Sequence, residues 1–231
     1  MKIVLTNDDG IDAPGIQTLN RCVRDWGHIF IVAPADAQSG IAHRVTTRAP
    51  IPVAEIRQDV YRVAGTPADC SRISLKEIVP DADWVISGIN PGANLGSDVY
   101  NSGTVAAARE AAILGCRAIA ISQYIARDQE IKWEETGRHA KAVLEMLLQQ
   151  DLPPLHFWNV NLPQAPESGR RFSYQFCRLD THPHKYDYRK NGDEYIYHGS
   201  IHERPRDPGT DVAVCFDERK IAITRIAVGS T

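Results

Sequence analysis

No Cys-x-x-Cys pair occurs in this 231-residue chain, and its five cysteines (Cys22, Cys70, Cys116, Cys177 and Cys215) are odd in number and widely spaced. That argues against a disulfide framework or a cysteine–zinc site, and for a reducing cytoplasm as the expected setting. Apolar runs fall far short of the roughly 20 residues a membrane span requires. The first strand-like segment begins at Lys2, which leaves no room for a signal peptide. Basic excess is lacking too: 26 Lys and Arg are scattered among 29 Asp and Glu, for a net charge of −3. Neither a nucleic-acid polymer nor a membrane surface is therefore the expected partner. Repeats and low-complexity tracts are absent. What is present, 43% hydrophobic and 24% charged residues, suits a soluble chain with a substantial core.

Along the first part of the chain, strand-like and helix-like patterns alternate. Ile3, Val4 and Leu5 read as a short buried strand. Residues 15–26 read as a helix with Ile16, Leu19 and Val23 on one face, stopped by Gly27, and 28–32 as a strand ending at Ala33-Pro34. A polar loop covers 36–43, and β-type segments cover 51–56 and 60–63. Pro67 opens a helix running to about residue 78. Residues 83–87 form a strand that ends in a Gly-rich loop over 88–103, followed by an Ala-rich helix over 104–114. A strand at 118–122, an amphipathic helix at 133–148 and a strand at 155–160 complete the alternation. This order predicts an α/β fold, a mostly parallel sheet with helices on both faces. Beyond Asp151 the pattern turns β-like. Tyr186-Asp187-Tyr188 and Glu194-Tyr195-Ile196-Tyr197 flank Asn191-Gly192, which predicts a hairpin whose aromatics suit contact with a second subunit.

The chemistry concentrates where strands end. Asn7-Asp8-Asp9-Gly10 follows the first strand, and in α/β sheets ligands sit at the carboxyl ends of strands. Two adjacent carboxylates in a cleft repel each other and lose hydration, so they need a counter-charge; a hard cation supplies it most simply. A solvated Asp-Gly turn is the plainer alternative. The pattern is not an EF-hand, because Leu5 and Ile16 occupy the ligand positions, and Asn7 rules out an aspartyl-phosphate nucleophile of the D-x-D type. Ser39-Gly40, an ordinary polar turn on its own, adds a hydroxyl from the same sheet edge. Residues 87–96 carry three glycines and two asparagines, and Asn101-Ser102-Gly103-Thr104 follows at a helix start. Such a start favours phosphate, because free amides and the helix dipole face it, although no Gly-Lys-Ser/Thr makes it a P-loop. His182, His184, His198 and His202 match no zinc spacing and read as surface or interface residues.

Residues 1–16, MKIVLTNDDGIDAPGI, and 87–108, SGINPGANLGSDVYNSGTVAAA, resemble the two signature blocks of the SurE family of metal-dependent nucleotidases and phosphatases. Further similarity lies in Ala33-Pro34 with Ser39-Gly40, Gly65-Thr66-Pro67-Ala68-Asp69-Cys70, Asn159-Val160-Asn161-Leu162-Pro163 and, more weakly, Gly209-Thr210-Asp211 with Ile221-Ala222-Ile223-Thr224. The resemblance implies one divalent metal held by Asp8, Asp9, Ser39 and Asn90, and substrate phosphate near Asn94, Ser102, Gly103 and Thr104. It implies a Rossmann-like catalytic core over 1–165 and a β-rich extension over 166–231, exchanged between subunits of a homodimer or tetramer. Asn101 departs from the family, many members of which have a residue such as Tyr there, and the chain ends soon after Ile226 without their final helix.

The expected activity is hydrolysis of nucleoside monophosphates by a metal-activated water, a 5′-nucleotidase with possible 3′-nucleotidase and exopolyphosphatase action. Asp8 and Asp9 are the expected catalytic residues. The all-oxygen ligand set favours Mg²⁺ or Mn²⁺, with Ca²⁺ as a substitute, over zinc. No Cys, His or Ser stands in a convincing nucleophile–base pair, so no covalent phosphoenzyme is expected. A nucleotide-binding module without turnover and an interaction protein acting through its aromatic tail are the alternatives.

Overall fold

Alternation along the first strand explains how the molecule is layered. In β1 (Lys2–Thr6), Ile3 and Leu5 enter one hydrophobic cluster and Val4 enters another, as a strand's two-residue period requires. Described in the computed structural model are residues 1–164 and 173–229. After β1 come α1 (Pro14–Val23), β2 (His28–Pro34), β3 (Val53–Arg57), β4 (Val60–Val63) and α2 (Pro67–Ile73). β5 (Trp84–Pro91), α3 (Gly103–Ile113), β6 (Arg117–Gln123), α4 (Trp133–Leu147) and β7 (His156–Leu162) follow. The remainder comprises β8 (Tyr174–Phe176), β9 (Tyr188–Asn191), β10 (Glu194–Tyr197), α5 (Asp211–Phe216) and β11 (Ile221–Ala227).

Among the described residues, nine strands form one sheet in the order β3-β4-β2-β1-β5-β6-β7-β11-β8. The six from β4 to β7 are mutually parallel, whereas β3 and β11 each run antiparallel to a neighbour. Residues of α1 and α4 (Ile16, Leu19, Ala140, Leu144) bury against Ile3 and Leu5. On the opposite face, Cys70 of α2 and Val105, Ala108 and Ala111 of α3 pack with Val4, Val32 and Val85. The doubly covered, mostly parallel sheet expected from the sequence is therefore the fold, with an antiparallel hairpin of β9 and β10 beside it. No helix among the described residues is long and apolar enough to cross a membrane.

Four local differences from the sequence expectation have physical causes. The helix opened by Pro67 keeps α geometry only to Ile73 and continues to Ile78 as a π-type turn. β5 runs on to Pro91 instead of ending at Ser87, because its register against β6 slips between Ser87 and Asn90. Gly88 makes the slip possible: its φ is +138° and a Cβ there would lie 2.2 Å from the Ile121 carbonyl oxygen. In the hairpin Asn191 pairs with Glu194, so the turn is Gly192-Asp193, one residue later than expected, with the positive φ on Gly192. Helix α5 lies in a stretch expected to be β-like; six residues are too few to show a helical period. The expected boundary at 165/166 lies outside the described residues.

Gly15 shows how closely the layers meet. It lies in α1, and a Cβ there would fall 2.0 Å from the backbone oxygen of Ile89 in β5. Gly to Ala inside a helix normally gains up to about 1 kcal/mol. Here Gly15→Ala should instead destabilise by about 1–3 kcal/mol, because the obstructing atom is backbone. A fall in the urea midpoint at unchanged m checks this; a rise would contradict the packing.

Candidate active site

The end of β1 is shaped by Asn7, whose side-chain Nδ2 donates to the carbonyl of Gly10 at 2.8 Å and closes the turn. That closure brings Asp8 and Asp9 to a cavity of about 260 Å³ that Ser39, Asn90, Asn94, Asp98, Asn101 and Ser102 also line. The set is mixed: two carboxylates beside hydroxyls and amides, with Asp98 as a third carboxylate on the wall. Among the described residues, no group of three His, Cys, Asp or Glu is arranged to hold a metal by itself. Any cation here would need neutral oxygens as well, a chemistry that suits hard divalent cations over zinc.

The two carboxylates sit in unlike surroundings. Asp8 is buried, accepts a hydrogen bond from the Thr104 hydroxyl, and its backbone carbonyl accepts the Gln38 amide at 2.6 Å. Burial raises its pKa, while the Thr104 hydroxyl and backbone groups of Gly103 and Thr104 oppose the rise. Gly103 permits this approach, since a Cβ there would stand 2.9 Å from the Asp8 Cβ. Asp9 has no such support: its Oδ2 is buried without a hydrogen-bond partner among the described residues. Burial, and then the charge of Asp8, push Asp9 up to about 7.

The first turn of α3 has the Asp8 side chain against it. Thr104 is fully buried with its hydroxyl given to Asp8, and Gly103 packs on the same side chain, so these two hold the carboxylate; neither is among the residues lining the cavity. Ser102 and Asn94 do line the cavity. The Ser102 hydroxyl accepts from the Val105 amide at 3.1 Å, which leaves its own proton to donate. Asn94 Nδ2 donates to Ser122 at 2.8 Å, and its backbone carbonyl accepts from the side chains of Asn159 and Asn161. Asn90 Nδ2 donates to the Gly92 carbonyl at 2.6 Å, leaving its amide oxygen for a ligand. Ser39 is carried on a loop tied down through His43, whose Nε2 meets Glu110 at 2.7 Å, and through the Arg44 carbonyl, which accepts from Thr66.

Sequence reasoning missed Asp98 as a wall residue and missed the amides of Asn159 and Asn161. The latter had a signal: alternate asparagines in an otherwise apolar strand place two amides on one buried face. Three of the four tail histidines, expected at the surface or an interface, are half-buried and bonded. His184 bonds Asp98, His182 bonds Asp180 at 2.9 Å, and His202 Nδ1 meets the Tyr124 hydroxyl at 2.8 Å; of the four, His198 is the exposed one. All five thiols are free.

Fold and site together define a Rossmann-like α/β protein with a carboxylate pair at the end of its central strand. Residues 3–185 match the sequence model of the family described as Survival protein SurE. A Synechocystis sp. protein, named provisionally as a 5′-nucleotidase, is 47% identical over 99% of this chain and 100% of its own length. The 5′-nucleotidase SurE of Myxococcus xanthus is 34% identical, with 96% of this chain and 86% of that protein covered. The crystal structure of the SurE protein from Aquifex aeolicus superposes with a TM-score of 0.86 at 29% identity, covering 100% of this chain and 95% of that one. The chain belongs to the SurE family.

The pKa of Asp9 gives a sign that stability measurements can check. An acid raised from 3.8 to about 7 holds its proton in the folded state while the unfolded chain has lost it. The folded protein therefore loses stability as pH rises through that window. With EDTA present, Asp9→Asn should melt above wild type at pH 8, and the difference should vanish towards pH 4. A melting temperature below wild type at pH 8 would contradict the burial of an uncompensated charge.

Proposed function

We propose that this protein is a divalent-metal-dependent phosphomonoesterase acting on nucleoside monophosphates, a 5′-nucleotidase. The observation that carries the reading is the partnerless buried oxygen of Asp9 beside Asp8, in a cavity that Ser39 and Asn90 also line. Relatives from Myxococcus xanthus and Pelobacter propionicus named 5′-nucleotidase SurE support the choice of substrate. Asp8, Asp9, the Ser39 hydroxyl and the Asn90 amide oxygen would hold the cation, with Mg²⁺ or Mn²⁺ suited to such oxygens. When bound, that cation polarises the phosphoryl group and lowers the pKa of water.

The residues divide the remaining work. With Asp8 held by Thr104, Asp9 is the carboxylate free to take the proton from the attacking water. The Ser102 hydroxyl and the second Nδ2 proton of Asn94 are the donors for phosphoryl oxygens as charge gathers there. Water attacks phosphorus directly as the P–O bond to the nucleoside 5′-oxygen breaks; that oxygen takes up a proton and leaves as the nucleoside hydroxyl, so the configuration inverts. 3′-Nucleotides and short polyphosphates present the same terminal phosphate and are further substrates on this reading. The protein would work in the cytoplasm as a homodimer or tetramer, with the exposed tyrosines of β9 and β10 at the subunit contact.

Phosphate release from AMP and from an aryl phosphate, with Mg²⁺ or Mn²⁺ and then with excess EDTA, tests the proposal. EDTA should abolish release. Asp9→Asn should lower turnover at least about a hundredfold, the scale on which loss of one charge-stabilising group acts. Asp12→Asn should stay near wild type, since Asp12 is exposed and pairs with Arg62 at 3.0 Å. Near-normal turnover in folded Asp9→Asn would overturn the reading, and AMP binding without release would make the protein a nucleotide-binding module.

A further inference from the structure

The cavity wall at Asp98 is held from far along the chain. Its Oδ1 meets His184 Nε2, 86 residues later, and its Oδ2 accepts from Arg204 Nη1 at 2.8 Å, 106 residues later. Arg204 is among the largest fully buried side chains, and it also donates to the Leu95 carbonyl at 3.1 Å and to the Ser97 hydroxyl at 3.3 Å. A buried ion pair is weak as a source of stability, because desolvation consumes most of the attraction. What it does supply is fixed geometry. The backbone is shaped to admit it: Gly96 has φ +51°, and a Cβ there would lie 2.8 Å from Arg204 Nη2 and 2.9 Å from the Asp180 carbonyl oxygen. A second fastening lies beside it, where Asp211 accepts the Gly96 amide at 2.7 Å and the Asp180 amide at 2.8 Å.

Asp98 in turn carries the phosphate side of the cavity. Its backbone carbonyl accepts the amides of Asn101 at 3.0 Å and Ser102 at 3.1 Å, so the carboxylate and the Ser102 hydroxyl belong to one turn. We infer that His184 and Arg204 are positioning residues for phosphoryl transfer: gripping the two oxygens of Asp98, they fix where Ser102 presents its hydroxyl to the substrate phosphate. The inference rests on the phosphomonoesterase reading of the cavity. His184 is not among the residues lining the cavity and acts through Asp98. The two grips also bracket the β9–β10 hairpin, so both legs of that ribbon are fastened to the catalytic wall.

The test compares His184→Ala with His184→Gln, whose side-chain amide can replace the Nε2 donor, on the full chain with Mn²⁺ and AMP. Each variant is assayed at a temperature where circular dichroism shows it folded. His184→Ala should lose about tenfold or more in kcat, the scale of a partner that orients a working group. His184→Gln should recover to within about threefold, and Mn²⁺ affinity by calorimetry should stay within about twofold of wild type in both. On an Asp98→Asn background, His184→Ala should cost almost nothing more, because the two act as one unit. Unchanged kcat in His184→Ala, equal losses in Ala and Gln, or full additivity with Asp98→Asn would each overturn the inference while a wild type active on AMP leaves the parent reading standing. An inactive wild type would overturn the parent reading, and this inference with it.

Discussion

Everything at this site depends on placing two carboxylates side by side at the end of a buried strand. The repulsion is unavoidable, because Asp8 and Asp9 are consecutive, the first buried and the second half-buried, at the foot of the same turn. The protein compensates one and leaves the other. Asp8 receives the Thr104 hydroxyl and sits against the first turn of α3, where unpaired amides carry partial positive charge. Gly103 is required there for what it lacks, since any Cβ would press on the Asp8 side chain and its neighbour Pro67. Asp9 keeps a bare oxygen and a raised pKa. That inequality leaves one carboxylate oriented by the first turn of α3 and the other with an open oxygen, both at the cavity.

The sequence made the fold legible where period and length were sufficient. β1, β2, β6, β7, α3 and α4 fall within a few residues of their expected places, because each has an apolar run or face long enough to show its repeat. α5 escaped for want of length, and the extension of β5 to Pro91 escaped because Gly88 reads as a loop former although here it permits a strand to slip register. At the site, the residues that line the cavity from nearby motifs (Asp8, Asp9, Ser39, Asn90, Asn94 and Ser102) were all visible as strand-end or Gly-rich positions. The roles of Gly103 and Thr104 were not. A helix start reads as an anion site, and only the packing shows that the protein's own Asp8 lies against it. Asp98, His184 and Arg204 were illegible for a different reason: their meaning is a contact between distant segments, and a single sequence carries no mark of which Asp meets which Arg.

Helix α3 is the common reference for the parts of the site that come from separate segments. Its first turn locates Asp8, and Glu110, two turns further on, is buried with one oxygen on Arg72 Nε at 2.5 Å and the other on His43 Nε2 at 2.7 Å. Burial alone would raise the Glu110 pKa, but the hydrogen bonds from His43 and Arg72 outweigh it and hold the carboxyl below its usual range. The anionic Glu110 therefore binds the loop bearing Ser39, through His43, to the same rod that carries Ser102 at its start. Arg109 on that helix closes the circuit, donating to the Val99 carbonyl at 2.7 Å in the turn that Asp98 begins to build. The loop bearing Ser39 and the turn bearing Ser102 are thus both fastened to one helix. On the proposed reading, a cation and a phosphate held at fixed separation need this rigidity more than they need stability. It gives a reason for burying Glu110 with its two partners when an apolar packing of the same volume would fold as well.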